Sequence, residues 1–222
     1  MGEFITIGTA GTQCIGAYLA KPAGKPRGGI VVVQEIFGVN AHIRRVTDGY
    51  AEAGYTAIAP AVFDHLEAGV ELAYDEAGMK KGIALIGELG MDKALADVAS
   101  AAEAISSAGK IGVVGFCWGG SIAYLAAIKL GLPAASYYGG RNATLVGTRA
   151  KAPLIFHYGL RDAHIGVEDR EKVRAANPDA EFYVYDADHG FNCDARASYD
   201  PAAATLARER TLDFFARQLA GA

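Results

Sequence analysis

Six short apolar runs constrain this chain most: residues 30–33, 56–59, 111–116, 134–138, 154–158 and 182–185. They are rich in β-branched and aromatic side chains and show little polar alternation. That is the pattern of strands buried on both faces of a parallel sheet. Between them lie stretches with helical spacing. In residues 91–107, Leu95, Val98, Ala102 and Ile105 fall at steps of three and four and form one apolar stripe. Residues 42–53, 121–130, 167–176 and 202–219 read the same way. Strands alternating with helices predict an α/β protein with a mostly parallel, twisted sheet and helices on both faces. The segments "FITI" and "CIGAYLA" near the start add an antiparallel pair at one edge.

No Ser/Pro-rich linker, repeat or low-complexity tract divides the 222 residues, so a single domain over 1–222 is expected. The cluster Pro22, Gly24, Pro26 and Gly28-Gly29 reads as a loop. Residues 64–80 are the least regular part of the middle and are a candidate cap or lid.

Charge and cysteine usage narrow the function. A net charge of −4 provides no basic field for nucleic acid or an anionic membrane. The pairs Arg44-Arg45 and Lys80-Lys81 read as solvated helix faces. The three cysteines, Cys14, Cys117 and Cys193, are odd in number, widely spaced and lack a C-x-x-C pair. Neither a disulfide framework nor a zinc site fits that spacing, and no metal or organic cofactor is implied. No run is long and apolar enough to span a membrane, and no basic-then-apolar leader opens the chain. A myristoylation-like match at Met1-Gly2 and a glycosylation-like match at Asn142-Ala143-Thr144 carry no weight beside these readings. A cytoplasmic protein is expected, with a monomer as its state.

The chemistry centres on "KIGVVGFCWGGSIA", residues 110–123. Gly115-Phe116-Cys117-Trp118-Gly119 has the form of a nucleophile elbow, with cysteine where serine is commoner. A sharp strand-to-helix turn strains the central residue, and small neighbours let strand and helix pass. The helix amides behind Cys117 favour a thiolate. A buried structural cysteine is the plain alternative. Ser121 lies about one helical turn too far along to compete.

A nucleophile needs a base and a group that orients the base. On this type of sheet the order is nucleophile, acid, histidine. Asp162 follows the strand "PLIFHYG", and His189 follows "EFYVYD"; both fall at carboxyl ends of strands, where open α/β sheets bind ligands. Asp188 competes with Asp162 but is a sequence neighbour of the imidazole. His42, His65, His157 and His164 read as structural. Phe37, Trp118, Tyr138 and Phe191 are expected either to shape a pocket or to fill the core.

With those residues assembled, the chain resembles the dienelactone hydrolases (carboxymethylenebutenolidases) of the α/β-hydrolase fold. The likeness rests on Gln34-Glu35-Ile36-Phe37-Gly38-Val39-Asn40, on "GFCWGG", on "GLRD" at 159–162 and on "DHGF" at 188–191. The resemblance implies Cys117 as nucleophile, His189 as base and Asp162 as its orienting acid. It implies Glu35 as an additional carboxylate that pairs with the resting cysteine and moves when substrate binds. It also implies the backbone amides of Ile36 and Trp118 as the oxyanion hole. One departure concerns the substrate. Family members acting on dienelactone grip its carboxylate with arginines, one of them four residues after the histidine; here that position is Cys193, and Arg196 lies three further on. Lys80 and Lys81 stand in the region of the second arginine, without a bidentate fork. Lys81, Phe37, Tyr138 and Phe191 are therefore the expected substrate-binding residues, for a small ester or lactone. Two other classes share the same residues: a non-catalytic small-ligand-binding relative and a thiol redox sensor.

Overall fold

The computed structural model describes residues 1–9 and 13–220. They form two compact units, Met1–Gly112 with Leu219 onward, and Val113–Gln218.

In the first unit the strand order is β1-β2-β4-β3. The strands are β1 (Glu3–Gly8), β2 (Cys14–Ala20), β3 (Gly29–Val33) and β4 (Thr56–Pro60). The expected edge pair is present: β1 and β2 run antiparallel, with Phe4 opposite Tyr18 and Ile7 opposite Ile15. β2 joins β4 antiparallel, whereas β3 and β4 are parallel. Every residue of β3 and β4 is buried, while β1 is mostly exposed, as befits a central pair and an edge.

Helix α1 (Ala41–Glu52) starts where Asn40 Oδ1 accepts from the Ile43 N–H at 3.2 Å, a side-chain N-cap. It buries Ile43, Thr47, Tyr50 and Ala51, one face at helical spacing. Helix α3 (Met91–Ala104) buries Ala94, Leu95, Val98, Ala101 and Ala102 as the sequence stripe requires.

Helix α2 (Glu76–Leu89) departs from the sequence reading, which left residues 64–80 irregular and named no helix after them. Its interior carries Gly78, Gly82 and Gly87, each about 1 kcal/mol worse than alanine in a helix. Packing explains Gly82: a Cβ there would collide with the Ile36 carbonyl, so the helix lies directly on the backbone after β3. Asp75 caps α2 through the Gly78 N–H at 2.7 Å.

The remainder of 64–80 is tied down at several points. Asp64 accepts from Gly16 N at 2.8 Å and from Gly69 N at 2.9 Å. His65 Nε2 meets the buried Asp97 carboxylate at 2.8 Å. Glu71 bridges to Gly38, and Leu72 N donates to Phe37 O at 2.9 Å.

The second unit carries β5 (Ile111–Phe116, entering it at Val113), β6 (Ala134–Tyr137), β7 (Leu154–Gly159) and β8 (Glu181–Tyr185). All pairings are parallel, in the order β5-β6-β7-β8. Its helices are α4 (Trp118–Lys129), α5 (Val167–Ala176) and α6 (Pro201–Gln218). Residues Trp118 to Ile128 of α4 are all buried, so this helix is apolar all round.

A buried polar chain links β6, β7 and β8 to α6. Thr211 Oγ1 donates to Ala207 O at 2.9 Å, so it accepts from Tyr137 Oη at 2.7 Å and from His157 Nε2 at 2.9 Å. His157 Nδ1 then accepts from Tyr185 Oη at 2.9 Å, and Arg210 donates to that same oxygen at 3.2 Å. Every proton is placed with His157 neutral. Burial, reinforced by the Arg210 charge, pushes His157 down to about 3.

The sign of the pH effect follows. The unfolded chain takes up a proton at this histidine near ~6.5, whereas the folded protein resists until about 3. Stability associated with His157 is complete above ~6.5 and falls by up to about 1.4 kcal/mol per pH unit as the pH drops through that window. Urea unfolding across a pH series should give a shallower acid decline for His157→Phe than for the parent. The same variant should lose about 1–3 kcal/mol at neutral pH from the stranded hydroxyls.

Candidate active site

Cys117 occupies the turn between β5 and α4, with φ 54° and ψ −119°, at the N-cap of the helix. A non-glycine residue with this backbone stores about 1–3 kcal/mol of strain, retained only when its surroundings enforce it. Here they do. The Cys117 N–H donates to Tyr137 O at 3.0 Å, and its carbonyl accepts from Gly120 N at 3.0 Å. A Cβ at Gly115 would strike the Gly119 carbonyl and the Gly120 nitrogen, and one at Gly120 would strike the Tyr137 carbonyl. Strand and helix therefore meet backbone to backbone on either side of the cysteine. Sequence reasoning chose Gly119 as the second small residue; the close approach to Tyr137 belongs to Gly120, which the doubled glycine of "WGGS" signalled. The Cys117 side chain is half-buried.

Asp162 lies just past the end of β7. Its loop is pinned by Leu160 N donating to Tyr185 O at 2.7 Å and Arg161 N donating to Ala187 O at 3.0 Å. The buried Arg170 donates to both Gly159 O and Ile165 O at 3.0 Å, closing the loop from the α5 side. No local motif marks Arg170, because its role depends on the loop closing around it. Asp162 Oδ1 accepts from His164 N at 2.8 Å, which leaves Oδ2 for the imidazole of His189 at 2.7 Å.

His189 follows β8. Its Nδ1 faces Asp162, and Cys117 stands close enough to the ring to raise its proton affinity. Tyr138 packs on the ring at 5.0 Å between centroids, and His164 stands edge-on at 5.1 Å. Burial alone would lower this histidine; the hydrogen bonds and charges of Asp162 and Cys117 outweigh it and push His189 up to about 10. The folded state thus favours the imidazolium. Its contribution to stability is complete below ~6.5 and lost as the pH rises through about 10.

The other expected site residues divide by unit. Tyr138, with φ 37°, and Phe191 are fully buried, 5.3 Å apart between ring centroids, and pack behind His189 within the second unit. Trp118 is buried at the start of α4. Arg196 places its guanidinium against Gly190, next to His189. Glu35, Ile36, Phe37 and Lys81 belong to the first unit. Glu35 is buried and accepts from Tyr74 Oη at 3.0 Å. Phe37 is buried with its ring 4.5 Å from that of Tyr74. Lys81 is exposed and pairs with Glu67 at 2.7 Å. Cys193 is buried and Cys14 exposed.

Residues 15–219 match the family model of the dienelactone hydrolase family. The chain belongs to that family. A carboxymethylenebutenolidase of Pseudomonas putida is 33% identical over 226 residues, covering 96% of both chains. A provisionally named carboxymethylenebutenolidase of Synechocystis sp. is 34% identical, covering 97% of this chain and 96% of its own. The crystal structure of a candidate dienelactone hydrolase from Klebsiella pneumoniae superposes with a TM-score of 0.84 at 32% identity, covering 98% of each chain. The fold is that of the α/β-hydrolases, and this dienelactone hydrolase family member is an enzyme that hydrolyses small esters or lactones.

The charge on His189 has a direct check. Asp162→Asn removes the carboxylate that meets its Nδ1 at 2.7 Å, so the imidazole should titrate well below about 10, toward the ordinary range near ~6.5. NMR titration of the histidine ring nitrogens measures it.

Proposed function

We propose that hydrolysis proceeds by acyl transfer through Cys117, with His189 as general base and acid and Asp162 as its orienting carboxylate. The observation that carries this reading is the hydrogen bond from His189 Nδ1 to Asp162 Oδ2 at 2.7 Å, with Cys117 on a strained turn close enough to raise the proton affinity of the same ring. A free cysteine and histidine need about 2.7 kcal/mol to exist as thiolate and imidazolium at equal population, given values near ~8.5 and ~6.5. The raised proton affinity of His189 supplies stabilisation in that direction.

The thiolate attacks the ester carbonyl carbon and its electron pair moves to oxygen. By the family resemblance, that oxyanion is held by the backbone amides of Ile36 and Trp118; losing one such donor typically lowers the rate about 100- to 1,000-fold. Collapse breaks the C–O bond, and the departing alkoxide or enolate takes the proton from His189. Water then attacks the thioester as His189 accepts its proton. The acid leaves, and the returning thiolate again faces an imidazolium.

By the same resemblance Glu35 acts as the additional carboxylate beside the resting cysteine, where it limits wasteful oxidation of the sulfur. The substrate class is a small ester, lactone or enol-lactone, with dienelactone as one candidate. Lys80, Lys81 or Arg196 would meet a substrate carboxylate, and Phe37, Tyr138 and Phe191 would shape the apolar wall. The family match runs continuously from 15 to 219, which supports a single domain over residues 1–222. The working form proposed is a cytoplasmic monomer that needs no cofactor.

With p-nitrophenyl acetate, Cys117→Ala should lower turnover at least about 1,000-fold, as removal of a triad nucleophile does. Acid quenching of the parent should trap an acyl group on Cys117, read by mass spectrometry. Equal rates in parent and variant would exclude catalysis through this cysteine. A panel of lactones and short esters, with and without a free carboxylate, addresses the substrate. A preference for the carboxylated members that disappears in Arg196→Ala or Lys81→Ala would identify the anion anchor, and indifference would point to a general esterase.

A further inference from the structure

Glu35 is buried in the first unit, and the first step outward from it is Tyr74, whose hydroxyl lies 3.0 Å from Oε2. The same hydroxyl lies 3.1 Å from Asn40 Nδ2. The direction of each bond in this chain follows from the helix cap. Asn40 Oδ1 accepts from Ile43 N as the N-cap of α1, and the reverse amide orientation would set two donors against each other. The Nδ2 end therefore faces Tyr74. An amide nitrogen only donates, so the tyrosine oxygen accepts from it. Tyr74 has one proton to give, and Glu35 Oε2 is where that proton points. Oε2 is thereby an acceptor.

The tyrosine is itself held. Leu72 N donates to Phe37 O at 2.9 Å, and Glu71 bridges to Gly38. Arg44 joins Glu71 at 2.6 Å and also donates to Val39 O at 2.8 Å. The Tyr74 ring lies 4.5 Å from that of Phe37, and the next residue, Asp75, caps α2. Residues 71–75 thus form a strap stitched along the stretch that contains Glu35, with Tyr74 fixed from both sides.

We infer that Tyr74 is a positioning residue for Glu35: its hydroxyl, oriented by Asn40, holds Oε2 and so fixes the orientation of the carboxyl group. The functional consequence rests on the reading above of Glu35 as the additional carboxylate of the reaction. Without the hydroxyl, the carboxyl group loses the hydrogen bond that sets its orientation.

The test uses the full chain labelled with 13C at the glutamate carboxyl carbon, with the Glu35 resonance identified by its loss in Glu35→Gln. Tyr74→Phe keeps the ring on Phe37 and should displace that resonance; Asn40→Ser, which retains a capping oxygen but no N–H for Tyr74, should displace it less. In steady-state hydrolysis Tyr74→Phe should lower kcat about tenfold with KM little changed, the split expected when an orienting hydrogen bond is lost. Thermal unfolding of both variants establishes that the fold is retained. A Glu35 resonance unmoved in both variants overturns the inference whatever the rate. A displaced resonance with unaltered kcat upholds the hold of Tyr74 on Glu35 and removes Glu35 from the reaction.

Discussion

The backbone-to-backbone meeting of β5 and α4 that holds Cys117 at φ 54° is the constraint on which the second unit is built. With no Cβ at Gly115 or Gly120, β5 and α4 approach until only backbone atoms separate them, and Tyr137 O captures the Cys117 N–H. The strain is then offset by packing, since every residue of α4 from Trp118 to Ile128 is buried. β6, β7 and β8 follow in parallel order, so the loops bearing Asp162 and His189 leave from adjacent strands. Sheet order and elbow together let Cys117, Asp162 and His189 stand close to one another without any sequence proximity among them.

Two histidines of this unit illustrate how the environment sets charge. Burial pushes both downward. His157 has hydroxyl partners and the Arg210 charge, so nothing opposes burial and it stays neutral as a strut between α6 and the sheet. His189 has the Asp162 carboxylate at 2.7 Å and Cys117 on the same ring, and these reverse the sign. One fold thereby keeps one imidazole inert and another charged and ready to exchange a proton.

Legibility in the sequence followed the range of the interaction. The strands were readable because burial on both faces leaves its mark within a few consecutive residues, and Cys117, Asp162 and His189 because each sits at a strand end with a local signal. Helix α2 was not readable: Gly78, Gly82 and Gly87 look like breakers until Gly82 is seen against the Ile36 carbonyl. Arg170 and Tyr74 escaped for a related reason. Their partners are carbonyls or a carboxylate brought near by the fold, 39 residues away in the case of Tyr74 and Glu35.

The same contrast bears on how the first unit contributes. The stretch from Glu35 to Gly38 carries the family signature, yet its geometry is set by a segment with none. Tyr74 holds Glu35, α2 lies on the Ile36 carbonyl at Gly82, Leu72 N holds Phe37 O, and Glu71 bridges to Gly38. Four consecutive signature residues are thus addressed in turn by residues 71–82. Because each contact is made to a backbone group or a single carboxylate oxygen, the segment can vary widely in side chains while preserving its hold. Three demands limit that freedom: a hydroxyl at 74 and no side chain at 78 or at 82. A substitution at 74 or 82 would alter the signature stretch while leaving every signature residue in place.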